Sequence, residues 1–198
     1  MESHQDITGS KIGMWLFLLS EILLFGGLFL LYSAYRYKNP FDFHLAAWEL
    51  NRVLGTLNTL ILITSSLTIA LSIASIRKGD IRRSKLFLIM TIVLGLLFLM
   101  NKYFEWSTDI QHGIYPDSPR LLGRSKGEIL FFGLYYTMTG LHGLHALVGL
   151  MVLSVMLILI MKGKVNGNYF IPLENSGLYW HLVDIIWIFL FPLFYLIT

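Results

Sequence analysis

Long apolar stretches, separated by short polar segments, set the pattern of this chain. Five such stretches are nearly free of charged residues. A transmembrane helix needs about 20 predominantly apolar residues. We therefore predict an all-α integral membrane bundle, a single transmembrane domain over residues 1–198, with five helices at about 12–35, 53–76, 84–105, 129–161 and 177–197.

Composition agrees with a membrane protein and excludes several other classes. Hydrophobic residues make up 56% of the 198 residues and charged residues only 14%, whereas a soluble domain carries about 25% charged residues. The zero cysteine count excludes disulfides, thiolate metal sites and iron–sulfur clusters. The net charge of +3 is not taken as a sign of nucleic-acid binding, because basic residues in a membrane protein usually mark the cytoplasmic side.

The distribution of basic residues predicts the orientation. Lysine and arginine divide almost equally between the two sides, but five of them fall in the short connection over residues 77–85. Dense positive charge in a short loop favours the cytoplasmic side. The prediction is an N-terminus inside and a C-terminus outside.

Ionisable residues within the spans are the first functional candidates, because burying such a group in a bilayer is costly. Glu21 lies about 15 Å beyond Lys11 along the first helix, close to mid-membrane. Two hypotheses stay open for it: a proton-exchanging or gating carboxylate, and a protonated side chain that bonds a neighbouring helix. In the last helix, His181 and Asp184 are three residues apart and share a face. Asp184 lies at about the depth of Glu21, so the two carboxyl groups could share a proton relay. The preferred hypothesis is that His181 pairs with Asp184 and neutralises it.

His142 and His145 also share a helical face. Two histidines resemble half of a metal site, but a haem or copper needs more ligands. Counting back from Lys162 places this pair about 25 to 30 Å from the inner surface, too far from Glu21 and His181 to join them. The better-placed partners are Lys102 and Glu105. A helix or lipid contact is therefore preferred to metal binding.

The second helix carries a stripe of small polar residues, which predicts close packing against another helix. The stripe consists of Asn58, Ser65, Thr68, Ser72 and Ser75. Taken alone, the residues describe a five-helix membrane protein with a central carboxylate, more typical of a subunit than of a self-sufficient catalyst.

Four segments carry a resemblance to a known family. Residues 15–26, with the embedded Glu21, and the Asn-Thr and Ser-rich residues 57–72 resemble the corresponding helices of subunit III of the haem–copper terminal oxidases. Residues 140–145 and 179–187 resemble the two most distinctive motifs of that family. The chain is therefore identified as a member of the cytochrome c oxidase subunit III family, of the short five-helix bacterial type.

The resemblance implies a non-redox accessory subunit of a proton-pumping oxidase of aerobic respiration. Haem and copper are then expected in partner subunits, and this chain has neither a catalytic residue nor a metal ligand. Glu21 and Asp184 take the role of buried or proton-uptake carboxylates. Structural contacts, or contacts with lipid and neighbouring subunits, are expected from His142, His145, His181, Trp180 and Trp187.

The implied partners are the catalytic subunit I, subunit II and structural phospholipid, with a respiratory supercomplex as a wider setting. The implied location is the bacterial inner membrane, crossed several times. Longer family members have two further helices before the one that carries the glutamate, so the lipid cleft that those helices help to form is not expected in the same shape.

Several alternatives stay open. The electron donor can be cytochrome c, which the Phe191–Pro192 ending favours, or a quinol. A related maturation or activation factor of a nitric oxide reductase and an independent proton or solute channel are the other hypotheses.

Overall fold

Helices form most of the chain. The computed structural model describes residues 2–196, with side chains from Thr8 onward. The helices are α1 (Glu2–Lys38), α2 (Pro40–Trp48), α3 (Arg52–Arg77), α4 (Ile81–Gln111), α5 (Pro119–Leu122), α6 (Lys126–Met161) and α7 (Ile171–Phe191), and α7 continues into a π-helical turn at Pro192–Leu196. The expected all-helical architecture is confirmed for these residues.

Five helices are long and apolar enough to cross a bilayer, which confirms the predicted number of spans within the described part of the chain. They cover Thr8–Lys38, Arg52–Arg77, Ile81–Gln111, Lys126–Met161 and Ile171–Leu196. The inside and outside assignment of the termini stays a prediction. Below, the end of the bundle that holds the α3–α4 turn is called the turn end, and the other is called the opposite end.

Side-chain caps fix where the helices begin. Asn51 Oδ1 accepts a hydrogen bond from the Leu54 amide at 3.1 Å, and Asp80 Oδ1 accepts one from the Arg83 amide at 3.0 Å. Such caps satisfy backbone donors that the first helical turn leaves free. Between α3 and α4, Gly79 adopts φ 79°, a conformation that suits glycine and allows the tight reversal.

The α3–α4 hairpin is joined by the predicted polar stripe. The Thr68 and Thr91 hydroxyls lie 2.8 Å apart, and the Ser72 hydroxyl donates to the Ser84 carbonyl at 2.9 Å. These contacts are buried and let two apolar helices bond across their interface. The prediction of a packing stripe is confirmed at these positions.

Helix α7 forms the centre of the bundle. Trp180 and Trp187 are fully buried and donate their indole N–H groups to Ser65 Oγ and Thr59 Oγ1, each at 3.0 Å. Gly95 and Gly149 make room for the Trp180 ring, because a Cβ at either position would lie 2.8 Å from it. The two tryptophans therefore join α7 to α3 by hydrogen bonds.

Helix α1 lies at the edge of the bundle. Only 11% of its most apolar stretch is buried, against 56% for the stretch of α7. At the turn end, Ser10 accepts a hydrogen bond from Asn175 at 2.9 Å, and at the opposite end the Tyr32 hydroxyl donates to the Leu193 carbonyl at 2.5 Å. Between these two attachments lies the region that contains Glu21.

The connections at the opposite end are tied down by one arginine. Arg124 bonds Glu49, next to α2, and Glu128 in the first turn of α6 at 2.9 Å. Hydrogen bonding to Glu49 raises the pKa of Arg124, which is already high enough to keep the guanidinium charged.

Candidate functional site

Glu21 meets His145 between α1 and α6. Their Oε2 and Nε2 atoms are 2.9 Å apart, and the two side chains are only 13% and 14% exposed. The other ring nitrogen of His145, Nδ1, lies 2.8 Å from the Leu141 carbonyl. Because a carbonyl only accepts, Nδ1 must carry a proton.

That assignment fixes the proton content of the pair. With Nδ1 protonated, a hydrogen bond between Nε2 and Oε2 needs one further proton, held either by the carboxyl group or by the imidazole ring. Glu21 and His145 therefore share a single proton across the helix interface. Its position can move between the two atoms without any change in the total charge of the pair.

Aromatic side chains surround this pair. The Phe25 ring stands edge-on to the His145 ring, with centroids 5.5 Å apart, and is itself buried. The Tyr179 hydroxyl donates to the His145 carbonyl at 3.0 Å. These contacts connect α1, α6 and α7 at one level.

The prediction that the histidine pair is too far from Glu21 is wrong for His145. The reason is that the depth along α6 is counted from Lys162. Val152 on α6 lines the same cleft as Met14 on α1 and Asn175 on α7. Glu21 is ten residues from Lys11, whereas His145 is seventeen residues from Lys162, and the contact between Glu21 and His145 places them at one level. Lys162 therefore lies about seven residues, or about 10 Å, farther along the helix axis than Lys11, and a depth counted from Lys162 is too large by about that amount.

His142 faces away from Glu21 into the centre of the bundle. It is fully buried, and its Nε2 donates to the Val183 carbonyl at 3.0 Å. Its ring lies between Phe98 and Trp187, with centroid distances of 5.5 and 5.2 Å. His142 thus connects α6 to α7, and only one member of the histidine pair contacts a carboxylate.

The predicted His181–Asp184 pair is also wrong. His181 Nδ1 lies 2.7 Å from the Ser66 hydroxyl on α3. Asp184 is 2% exposed, and among the described residues neither of its carboxylate oxygens has a partner with hydrogen-bond geometry. A shared helical face brings the two side chains near each other, but the serine across the interface provides the partner for the imidazole ring.

A buried ionic cluster links α4, α6 and the terminal π-helical turn. Lys102 Nζ donates to Glu105 Oε2 at 3.0 Å, to the Tyr135 hydroxyl at 3.1 Å and to the Tyr195 hydroxyl at 2.9 Å. Both tyrosines donate in turn to Glu105 Oε1, at 2.9 and 2.5 Å. We refer to these four residues as the lysine cluster.

The lysine cluster corrects a further expectation. Lys102 and Glu105 were predicted to be partners of His142 and His145, but they bond each other and two tyrosines. The spacing of three residues between a cation and an anion was the signal available in the sequence. Nothing in the sequence pointed to Tyr195, which is 93 residues from Lys102 along the chain.

No metal site emerges from residues 8–196. Within this range, no three histidine, aspartate or glutamate side chains lie close enough together to hold a metal ion. The chemistry that the described residues support at Glu21 and His145 is the sharing of a proton.

Comparisons with known proteins agree with the family resemblance of the four motif segments at residues 15–26, 57–72, 140–145 and 179–187. The family model for cytochrome c oxidase subunit III matches residues 3–198. Cytochrome c oxidase subunit 3 of Thermostichus vulcanus is 34% identical over 99% of this chain and 91% of its own length. A probable quinol oxidase subunit 3 of Staphylococcus haemolyticus is 27% identical over 95% of this chain and 89% of its own length.

A third relative has a different organisation. The heme-copper oxidase subunit I+III of Aeropyrum pernix is 29% identical over 98% of this chain, which corresponds to only 24% of that longer protein. The match over almost the whole chain, the five apolar helices and the four motif segments lead to one assignment. This chain belongs to the cytochrome c oxidase subunit III family.

Proposed function

We propose that this chain is the non-redox accessory subunit III of a proton-pumping haem–copper terminal oxidase in the bacterial inner membrane. In that complex it lies beside the catalytic subunit I and subunit II, which contain the haem and copper. The relative in which subunits I and III form one polypeptide supports the association with subunit I. The higher identity to a cytochrome c oxidase subunit than to a quinol oxidase subunit, 34% against 27%, favours cytochrome c as the donor.

The observation that carries the proposal is the proton shared by Glu21 and His145. A carboxyl–imidazole pair can accept a proton from one side and release it to another without electron transfer. The pair is mostly but not completely buried, so a neighbouring subunit or a water chain can reach it. We therefore assign to it a role in supporting proton uptake by the catalytic subunit and in prolonging its activity.

A second part of the proposal concerns phospholipid. Helices α1, α6 and α7 enclose an open apolar cleft of 260 Å³, lined by Met14, Phe17, Val148, Val152 and Tyr179, with Asn175 and Ser176 at the turn end. Its lining suits an acyl chain, and polar residues at one end suit a headgroup. A lipid held there would stabilise α1, which has few other contacts with the bundle.

The substitution Glu21→Gln tests the proton role in the assembled oxidase. The amide keeps the shape and can still bond His145, but it cannot release a proton. We expect an unchanged haem spectrum, and either fewer turnovers before inactivation or fewer protons pumped per electron. Ser20→Ala is the matched control, because within the described chain the Ser20 hydroxyl bonds only the Phe17 carbonyl of its own helix.

Two results would contradict this proposal in different ways. An altered haem spectrum in Glu21→Gln would count against a non-redox subunit. Sustained turnover and pumping equal to those of the Ser20→Ala control would remove the proton role and leave Glu21 as a structural contact. A separate measurement identifies the electron donor: whether the purified complex oxidises cytochrome c or a quinol.

A further inference from the structure

Two neighbouring grooves on the outer surface of the bundle flank a ridge on α7. The first groove, between α3 and α7, has a volume of 380 Å³ and is lined by Ile63, Ser66, Leu67, Ala70, His181, Asp184, Ile185 and Ile188. The second, between α1 and α7, has a volume of 360 Å³ and is lined by apolar side chains and Gly26. Ile185 borders both grooves.

The α3–α7 groove differs from an ordinary lipid-facing surface because polar groups lie at its floor. The Asp184 oxygens are buried, and neither has a partner in good hydrogen-bond geometry among the described residues, although the Ser66 hydroxyl lies nearby. His181 uses Nδ1 to contact Ser66, and no hydrogen bond to its Nε2 is present in the described part of the chain. Polar groups left unsatisfied at this depth in a bilayer are costly.

An acyl chain cannot meet this requirement, because it has neither a donor nor an acceptor. A protein helix with a serine, threonine, asparagine or similar side chain can bond His181 and reach Asp184 after a small side-chain rotation. The shape also favours a helix, since ridges of one helix pack into the grooves of another. In the adjoining groove, a Cβ at Gly26 would meet nothing within 4 Å, so the backbone of α1 is open to close approach.

We propose that the α3–α7 groove is the docking site for a transmembrane helix of the catalytic subunit I, which places a hydrogen-bonding side chain against His181 and Asp184. The proposal rests on the proposed function for its partner, and on the unsatisfied polar groups for its position.

Photo-crosslinking in the intact oxidase complex tests the position. A benzoylphenylalanine residue replaces either Leu67, in the groove, or Leu96, on the outer face of α4; these side chains are 59% and 53% exposed. Thr68 bonds Thr91, so the two sites differ in depth by about one helical turn. We expect at least about five times more adduct with subunit I from position 67 than from position 96, identified by mass spectrometry.

Substitutions in the groove test the chemistry through the ratio of subunit III to subunit I after purification by a tag on subunit I. Asp184→Leu should lower that ratio by about 3-fold to 20-fold, the range that membrane hydrogen bonds support. Asp184→Asn, which can still donate and accept, should retain the wild-type ratio. Ala70→Trp, which fills the groove without touching Asp184, should lower it, whereas Leu96→Trp should not.

The outcomes separate this proposal from the one on which it rests. If subunit I does not co-purify with the wild-type chain, the proposed function itself fails. If subunit I co-purifies but position 67 labels only lipid or another protein, or labels subunit I no more than position 96 does, the docking site is wrong and the proposed function stands. Equal membrane content of each variant before extraction shows that a lower ratio reflects association and not folding.

Discussion

Replacing Lys102 by methionine should destabilise the bundle more than a single surface ion pair could. The side chains of Lys102 and Glu105 are 9% and 3% exposed, and Glu105 has no other cation in hydrogen-bond contact within the described chain. Methionine preserves the length of the apolar stem but removes the charge and all three donors. The Glu105 carboxylate then stays buried next to two tyrosine hydroxyls.

The expected loss in the free energy of unfolding follows from the burial of Lys102 and Glu105. Removing one member of a buried ion pair costs about 3–5 kcal/mol, because the remaining charge is uncompensated. Replacing both members, as in the double variant Lys102→Met with Glu105→Gln, removes that charge and should cost less than the single lysine change. By contrast, Lys11 and Glu174 are 3.9 Å apart with the lysine half exposed, so Lys11→Met should cost only about 0–1 kcal/mol.

The assay is a titration of the purified chain with SDS in mixed micelles, with helical circular dichroism as the readout. Free energies of unfolding for the wild type, the two single variants and the double variant form a complete cycle. A loss below about 1 kcal/mol for Lys102→Met, or strictly additive losses in the double variant, would refute the view that the lysine cluster holds the bundle through a compensated buried charge.

Two further predictions use the same titration. Gly95→Ala would place a methyl group 2.6 Å from Leu150 Cδ2 and 2.8 Å from Trp180, and should lower the free energy of unfolding by about 1–3 kcal/mol. The control Gly143→Ala, whose added methyl group meets nothing within 4 Å, should match the wild type. Equal losses of stability at both sites would count against close packing around Trp180. Trp187→Phe removes the 3.0 Å hydrogen bond to Thr59 and should cost about 1 kcal/mol, with a changed near-ultraviolet dichroism signal; a wild-type signal would show that the indole contact is absent.

The number of spans could be predicted because it depends on a property of each segment alone. An apolar stretch of sufficient length must form a helix in a bilayer, since lipid offers its backbone no hydrogen bonds. The packing role of the stripe that contains Thr68 and Ser72 could also be predicted, because small polar residues repeated on one face of a membrane helix mostly serve helix packing.

The partners of single polar side chains could not be predicted in this way. Glu21 and His145 lie 124 residues apart, and their meeting depends on how far α6 extends past its neighbours at the turn end. His181 shares a helical face with Asp184, but the position of α3 makes Ser66 its partner. Helical spacing identifies which residues share a face, whereas the relative height of two helices is set by the whole bundle.

The separation of Glu21 from His145 has a consequence for biosynthesis. Helix α1 leaves the ribosome before α6, so its carboxyl group gains its histidine partner only after 124 more residues have been made. At about 5–20 residues per second, α1 waits about 6 to 25 seconds in the membrane or at the insertion machinery. During that time Glu21 lacks its His145 partner, so the edge helix is captured by a core that forms after it.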